Sequence, residues 1–358
     1  MRALHQFVAG FSKGDAISNE ALALRRVFRD WGLRSDIFSE ARRILPELRR
    51  EALDIDGIAA ALKPDDIVLL HLSIGSPVND VFRSLPCRKA ILYHNVTPAH
   101  YFDLVNKATA WNLARGRDEV RSLAGVADVV LADSAFNAAE LREWGYGEVG
   151  VLPLVLDLDM VRGAADRGVR KRFDDGRKNI LFVGRCAPNK RIEDVVHAFY
   201  LYHRHVDPAS RLIVVGSFAG TERYYYLVLA QVRELGLENV IFTGSVLQSH
   251  LNAYYAAAHL FLCMSEHEGF CSPLIESMLY GVPVLAHAAA AVPETMDGAG
   301  VLFDRKDMGP VAEMMGELAA DTPLRRAVLA EQQRRVGRYT ARDLPGELRR
   351  HLAALLED

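Results

Sequence analysis

Short, wholly apolar runs alternate along the chain with stretches whose apolar residues recur at helical spacing. A run of four to six apolar residues without polar alternation marks a strand covered on both faces, which is the usual condition in a parallel sheet flanked by crossover helices. The pattern predicts a parallel α/β protein. In the first half, strands are expected at Ala3 to Val8, Ile67 to His71, Ala90 to Tyr93 and Val129 to Ala132. Ser18 to Trp31 has helical spacing, and Gly32 supplies the residue that commonly ends a helix. From about Leu156 to Lys178 the apolar rhythm lapses into a charged stretch rich in Gly, Arg and Asp, read as a linker. A second series follows, with strands at Asn179 to Val183, Arg211 to Val215, Val240 to Phe242, Leu260 to Met264 and Val282 to Ala286. Its helices are expected at Ile192 to His203, Tyr224 to Leu235, Ser249 to Ala257 and Pro273 to Tyr280. The division is therefore an N-terminal α/β domain over residues 1–158, a linker over 159–178 and a C-terminal α/β domain over 179–339. A last helical stretch over 340–358 is expected to pack back on the first domain.

Bulk properties narrow the picture. The 358 residues are enough for two domains. Half are hydrophobic and a quarter charged, and the net charge of -3 provides no basic field for nucleic acid. No apolar run reaches the 18 residues a membrane-spanning helix needs. The N-terminal residues run straight into a strand and a turn, without the apolar segment and cleavage site of a secretory leader. Cys87, Cys186, Cys263 and Cys271 are scattered, so neither a disulfide framework nor a zinc knuckle is expected, and a reducing cytoplasm fits.

The chemistry concentrates in the second half. Glu268-Gly-Phe-Cys-Ser-Pro-Leu-Ile-Glu276 follows a predicted strand and leads into a predicted helix. Pro273 suits the first turn of that helix, which places Glu276 about one turn inside and Glu268 on the loop before it. Loop amides and a helix N-terminus together suit a phosphate, and carboxylates accept hydrogen bonds from sugar hydroxyls. The bland alternative for this spacing is a helix-end charge and a surface glutamate. Phe182-Val-Gly-Arg-Cys-Ala-Pro-Asn-Lys190 ends another strand at Gly184 and brings Arg185 and Lys190 before a helix. Strand ends are where open α/β sheets bind ligands, and an arginine fork beside a lysine suits a diphosphate. Two solvated surface cations are the alternative. Pro283 to Glu294 is a strand followed by a loop of small residues, which permits close approach of a ligand.

Taken in order, these segments, with Val215 to Ser217, Glu238 to Gly244, Gly281 to Ala286 and Val292 to Glu294, resemble glycosyltransferase family 4. The resemblance spans the second half in order and spacing and is weaker in the first. It implies a retaining enzyme of GT-B architecture, with two Rossmann-like doubly wound domains facing across a cleft. It implies donor-diphosphate binding by Arg185 and Lys190, with Gly184 and Gly216 at the strand ends, and ribose binding by Glu276. Glu268 and the amides of Gly269, Phe270 and Cys271 match the loop around the transferred sugar, and Phe242 the place where backbone reads the base. In the first half, Gly14 matches the glycine turn near donor phosphate and acceptor, and His94 the histidine beside the reacting sugar. Glu268, Arg185, Lys190 and His94 are thus the candidate catalytic residues. Three departures stand out. Ser12-Lys13-Gly14-Asp15 replaces a glycine pair, Ala290 and Ala291 replace two glycines, and Leu154-Val155-Leu156-Asp157 replaces the linker motif.

The function expected is transfer of a hexose, such as mannose or glucose, from a nucleotide-diphosphate sugar to a glycan, lipid-linked or small-molecule acceptor, in polysaccharide or glycoconjugate synthesis. A GT-B-fold nucleotide-sugar epimerase and a non-catalytic sugar-nucleotide-binding protein are the alternatives. No cofactor is expected, and no metal: Asp157-Leu-Asp159 has the D-x-D spacing of metal-dependent transferases but lies at the linker. No G-x-G-x-x-G signature of a nicotinamide site is present. His71 and His100 are weighed as active-site groups against ordinary packing or capping, and His267 is discounted. Partners are the donor and an unidentified acceptor, with no nucleic acid. Arg25, Arg26 and Arg29, and the amphipathic stretch Tyr101 to Leu123, leave peripheral contact with the inner membrane face open for a cytoplasmic protein.

Overall fold

The computed structural model describes residues 2–357 and contains two parallel sheets. The first comprises β1 (Leu4–Val8), β2 (Ile37–Ser39), β3 (Ala52–Asp54), β4 (Ile67–Leu72), β5 (Arg88–Tyr93), β6 (Val129–Ala132) and β7 (Gly150–Val151). Its order is β3-β2-β1-β4-β5-β6-β7, with every neighbouring pair parallel. The second comprises β8 (Lys178–Val183), β9 (Ser210–Val215), β10 (Val240–Gly244), β11 (Leu260–Cys263), β12 (Val284–His287) and β13 (Val301–Phe303). Its order is β10-β9-β8-β11-β12-β13, again all parallel. Both are doubly wound, so strand order reverses between β1 and β4 and between β8 and β11. Ligands of such sheets bind outside the carboxyl ends of the strands at these reversals.

The central strands owe their place to their sequences. β1 and β4 are buried along their whole length, as is β9. Around β8 and β9, Ile180, Phe182, Leu212 and Val214 pack with Ile192, Val196 and Phe199 of the helix Ile192–His205 into one apolar core. Burial of that area out of water is the main force holding the second sheet to its helices. In the first sheet, Asp15 caps the helix Ala16–Asp30 by accepting from Ser18 N at 2.8 Å, and Gly32 (φ 81°) ends it by donating to Arg29 O.

By contacts the chain divides into two units. One is Met1–His100, Ala108–Asp157 and Asp343–Asp358; the other is Tyr101–Lys107 and Leu158–Arg342. The C-terminal stretch thus groups with the first sheet, where Arg2 Nη1 donates to Leu356 O (2.6 Å) and Arg88 Nη1 to Leu355 O (2.8 Å). It is two helices, Leu344–His351 and Ala353–Leu356, rather than one, and Thr340 ends the preceding helix Pro323–Thr340. Pro345 and the Asp343 cap on Gly346 N start a new helix instead of prolonging the old. The charged linker stretch holds two short helices, Leu158–Val161 and Arg167–Arg172. Among the described residues, no helix is long and apolar enough to cross a membrane. Arg25, Arg26 and Arg29 are each paired with an acid: Glu51, Asp157 and Asp36.

Candidate functional site

In the second unit, the carboxyl ends of β8, β9 and β11 gather the cations and the acidic loop. Gly184 (φ 153°) follows β8 and Gly216 (φ 149°) follows β9. The two cross so closely that a Cβ on Gly216 would lie 2.0 Å from Gly184 O. Only glycine permits this approach. Beyond Gly184, Arg185 Nη2 donates to Ala219 O at 2.9 Å. Burial pulls the Arg185 pKa down, with Glu222 opposing. Lys190 ends a 3-10 turn, Pro188–Lys190, and its Nζ meets Glu268 Oε2 at 2.5 Å. Burial works against the ammonium charge, but Glu268 outweighs it and holds the Lys190 pKa above its ordinary value.

The loop carrying Glu268 is fixed from several sides. Asn189 Nδ2 donates to His267 O (3.1 Å), Glu266 N to Asn189 O (2.9 Å) and Ala291 N to Glu268 O (3.3 Å). Phe270 is buried, and its carbonyl accepts from Thr295 Oγ1 at 2.5 Å. Cys271, at φ 70°, turns the chain into the helix Ser272–Leu279, with proline in its first turn. Gly269 lies in this loop beside Glu268. Glu276 lies one turn inside that helix, where its Oε2 accepts from Tyr255 OH at 2.8 Å. Burial raises its pKa against the hydrogen bonds from Tyr255 and Ser272. Phe242, on β10, packs edge-on to Tyr225 at 5.4 Å between ring centroids, and Tyr225 stacks on Phe218 at 4.2 Å.

The departures noted in the sequence have structural consequences. Ala290 adopts φ 51°, the left-handed conformation a glycine would take without strain. Asp157 is taken by Arg26 (2.5 Å), and Asp159 sits in the first turn of the helix Leu158–Val161. Gly14 is at φ 71° with open space around it, in the turn between β1 and its helix. A cavity of about 250 Å³ opens beside this turn at the β1/β4 reversal, lined by Gly10, Ser12, Asp15, Arg43 and Ser73. A larger cavity, about 770 Å³, lies by Lys178 at the amino end of β8, the wrong end of the sheet for a ligand.

His94 follows β5 in the first unit, and its side chain is almost wholly buried in a chain of hydrogen bonds. Its Nδ1 lies 3.0 Å from Asp133 Oδ2 and its Nε2 2.9 Å from His71 Nδ1, while His71 Nε2 lies 2.9 Å from Gln6 Oε1. Gln6 Nε2 donates onward to Ala21 O. Glu20 Oε1 accepts from Val155 N, but its Oε2, 3.6 Å from His94 Nε2 and 3.8 Å from His71 Nδ1, has no hydrogen-bond partner. Burial pushes the Glu20 pKa up to about 7, against the pull of His94. Burial also opposes charge on His94, yet Asp133 and Glu20 outweigh it and raise its pKa, whereas burial and the His94 charge push His71 well down. Gln6 Oε1 can only accept, which fixes the direction of the hydrogen bonds along the chain. His94 donates from both nitrogens, to Asp133 and to His71, and neutral His71 donates to Gln6.

Two groups of metal-ligand side chains converge among the described residues, Glu20–His71–His94 and Cys263–Glu268–Cys271, each with ligand atoms within 4.8 Å of one another. In the first, the imidazoles are parallel within 5° with centroids 5.2 Å apart, the separation of rings meeting end to end through their nitrogens. The two facing nitrogens, 2.9 Å apart, point at one another instead of converging on an ion, so this geometry suits one proton shared between them. In the second, Lys190 already occupies the carboxylate.

Gly14 and His94 thus belong to the first unit, and Gly184, Arg185, Lys190, Gly216, Phe242, Glu268 to Cys271 and Glu276 to the second. The sequence reading missed Gln6, Glu20 and Asp133, which converge on the histidines from three separate elements. It also missed Tyr101–Lys107, a segment of the first half that groups with the second unit. There, Asn106 Nδ2 donates to Gly220 O (3.1 Å) and Tyr101 lies against His267 (6.3 Å between rings). His100 is exposed in the turn Ala99–Phe102.

Residues 168–336 match the family described as Glycosyl transferases group 1. The segment contains every second-unit residue named above from Gly184 to Glu276, in keeping with the resemblance that its motifs carry. The chain is 30% identical over 201 residues to the GDP-mannose-dependent alpha-(1-6)-phosphatidylinositol monomannoside mannosyltransferase of Mycobacterium tuberculosis, covering 52% of this chain and 49% of that protein. It is 31% identical over 134 residues to the O-antigen chain mannosyltransferase B of Escherichia coli, covering 37% and 34% respectively. The chain therefore spans about half or less of the length of these relatives. In fold, it is similar to Anabaena HepE in complex with UDP and glucose, with a TM-score of 0.75 at 16% identity over 99% of this chain and 100% of that one. It is also similar to a glycosyltransferase from Rickettsia africae, with a TM-score of 0.76 at 14% identity over 100% and 99%. These likenesses cover the whole chain and establish the GT-B fold.

Proposed function

We propose that this chain, whose residues 168–336 carry the glycosyl transferases group 1 signature, is a retaining glycosyltransferase that moves a hexose from a nucleotide-diphosphate sugar to an acceptor. The observation that carries the reading is the Lys190–Glu268 pair at the ligand end of the second sheet, with Arg185 and the start of the helix Ser272–Leu279 in the same group of loops. The mannosyltransferase relatives support a hexose donor, with GDP-mannose as the first to try. Departure of the diphosphate develops negative charge on its oxygens. Arg185, Lys190 and the amides of Gly269 to Cys271 stabilise that charge, the mode of catalysis that supplies most where water is excluded. The sugar ring becomes cation-like as the bond breaks, and the Glu268 carboxylate gains attraction for it. The departing phosphate oxygen takes the acceptor's proton, so no separate protein base is needed. Arg185 and Lys190 provide the positive charge a metal would otherwise bring.

The test is incubation with a panel of GDP- and UDP-sugars while free nucleoside diphosphate is followed. A transferase releases it, with acceptor or slowly with water. An epimerase consumes none, and a binding protein releases none, so either result removes the reading. Nuclear magnetic resonance of the first product then reads the anomeric configuration, which is expected to match the donor's. Turnover is expected to survive dialysis against a chelator; loss restored by Mg²⁺ or Mn²⁺ would contradict the metal-free mechanism.

A further inference from the structure

Cys263 closes β11, and Cys271 stands where the acidic loop enters the helix Ser272–Leu279. Their sulfurs and a Glu268 carboxylate oxygen lie within 4.8 Å of one another. Cys263 Sγ also lies 3.5 Å from Ser265 Oγ. Both are free thiols; Cys263 is buried and Cys271 half-buried. Eight positions apart in sequence, they are brought together because the loop turns back over the strand end. Cys271 makes that turn with a left-handed backbone.

We propose that Cys263 and Cys271 form a redox pair that a hydroperoxide joins into a reversible disulfide, which shuts the site by pinning the Glu268–Cys271 loop to the end of β11. The shut-down, though not the bond itself, rests on the reading of this loop as the donor-binding loop. The Cys263 thiolate attacks the peroxide, the O–O bond breaks, and the alkoxide leaves with a proton as alcohol, or as water from hydrogen peroxide. This leaves a sulfenic acid on Cys263. The Cys271 sulfur then attacks that sulfur, hydroxide leaves with the Cys271 proton as water, and the S–S bond forms. Two electrons pass from the two thiols to one peroxide. The neighbouring Cys271 thiol and Ser265, whose Oγ lies 3.5 Å from Cys263 Sγ, hold the Cys263 pKa below its ordinary value against burial and Glu268, which favours Cys263 as the attacking sulfur. An S–S bond is about 2.05 Å long, so closing it draws the loop inward and disturbs the Lys190–Glu268 contact built on it.

The experiment treats the full chain with one equivalent of hydrogen peroxide at neutral pH, alkylates the remaining thiols and digests with a protease that cuts after glutamate. Cleavage at Glu266 and Glu268 separates the two cysteines. The expected result is a disulfide-linked pair of peptides carrying Cys263 and Cys271, with Cys87 and Cys186 alkylated and dithiothreitol reversing the link. The oxidised protein is expected to bind GDP or UDP at least tenfold more weakly than the reduced protein, and Cys263→Ser to keep its binding after peroxide. Absence of the linked peptides, equal oxidation of Cys87 and Cys186, or unchanged nucleotide binding in the linked form overturns the proposal. Linked peptides in a protein whose reduced form binds neither nucleotide would leave the redox pair standing and remove the donor-site reading instead.

Discussion

At the carboxyl ends of β8 and β11, neighbours in the second sheet, an ion pair, an arginine and a helix start lie on two short loops, 184–190 and 268–272. At the carboxyl ends of β1, β4 and β5, the corresponding place in a sheet of the same order, the polar groups are buried and spend their hydrogen bonds on one another. One strand order therefore carries two kinds of polar chemistry. In the second unit, charge is held partly exposed, where it can meet an anion. In the first, the histidine chain is buried and keeps both His94 nitrogens engaged with Asp133 and His71.

The sharpest way to break the second unit's side of this comparison is Gly216→Ala. Its Cβ would fall 2.0 Å from Gly184 O, backbone that cannot swing away. A loss above about 4 kcal/mol is expected, large enough to abolish the folded second unit. Chemical denaturation checks it, and a wild-type midpoint would show that the two strand ends are less tightly crossed than described. Next in size, Glu268→Gln is expected to slow transfer by about 10- to 150-fold, the equivalent of a charge-assisted hydrogen bond worth roughly 1.5–3 kcal/mol. Steady-state kinetics read it, and an effect confined to KM would place Glu268 in ground-state binding only.

The first unit is probed through Glu20. Its folded pKa of about 7 stands above the ordinary 4.5, so between these values the folded state holds more protons than the unfolded chain. Stability contributed by the protonated carboxyl is present below pH 4.5 and lost as pH rises through about 7. Glu20→Gln is expected to flatten that decline, measured as melting temperature across pH 4.5 to 8, and an unchanged slope would show that Glu20 is ionised in the fold. His71 works in the opposite direction, its lowered pKa costing stability as pH falls below 6.5, so the variant isolates the carboxyl's share. Smallest of all, Ala290→Gly is expected to change stability by no more than about 1 kcal/mol, since relief at φ 51° is offset by the glycine's greater unfolded entropy. A strongly destabilised variant would mean that the Ala290 methyl packs more than it strains.

The same contrast explains which elements are legible in the sequence alone. β1, β4, β5, β6 and all of the second sheet except β13 were legible because each is a compact apolar run. β2, β3, β7 and β13 have two or three residues each, too few for periodicity to register. The placing of Glu268 on a loop and Glu276 one turn into a helix was legible because one local segment fixes both. Gln6, Glu20, His71, His94 and Asp133 come from five elements and meet only through the sheet's register, where His71 pairs with Val8 and Leu92. Nothing in their spacing reports that meeting. Tyr101–Lys107 escaped for a related reason: its contacts with Gly220 and His267 join residues more than a hundred positions apart.

The central claim, that the second unit's loops hold a nucleotide-sugar donor, is tested most directly by calorimetric titration of GDP and UDP into the wild type, Glu276→Gln and Glu268→Gln. Glu276 is assigned to the ribose hydroxyls, an interaction nearly uniform between ground and transition states, so its loss appears in binding. Glu268 neutralises Lys190, so its replacement frees that charge for the diphosphate. The account predicts that Glu276→Gln weakens nucleotide binding by about 10-fold or more, while Glu268→Gln binds at least as tightly as the wild type. Weak binding by Glu268→Gln together with normal binding by Glu276→Gln would contradict it.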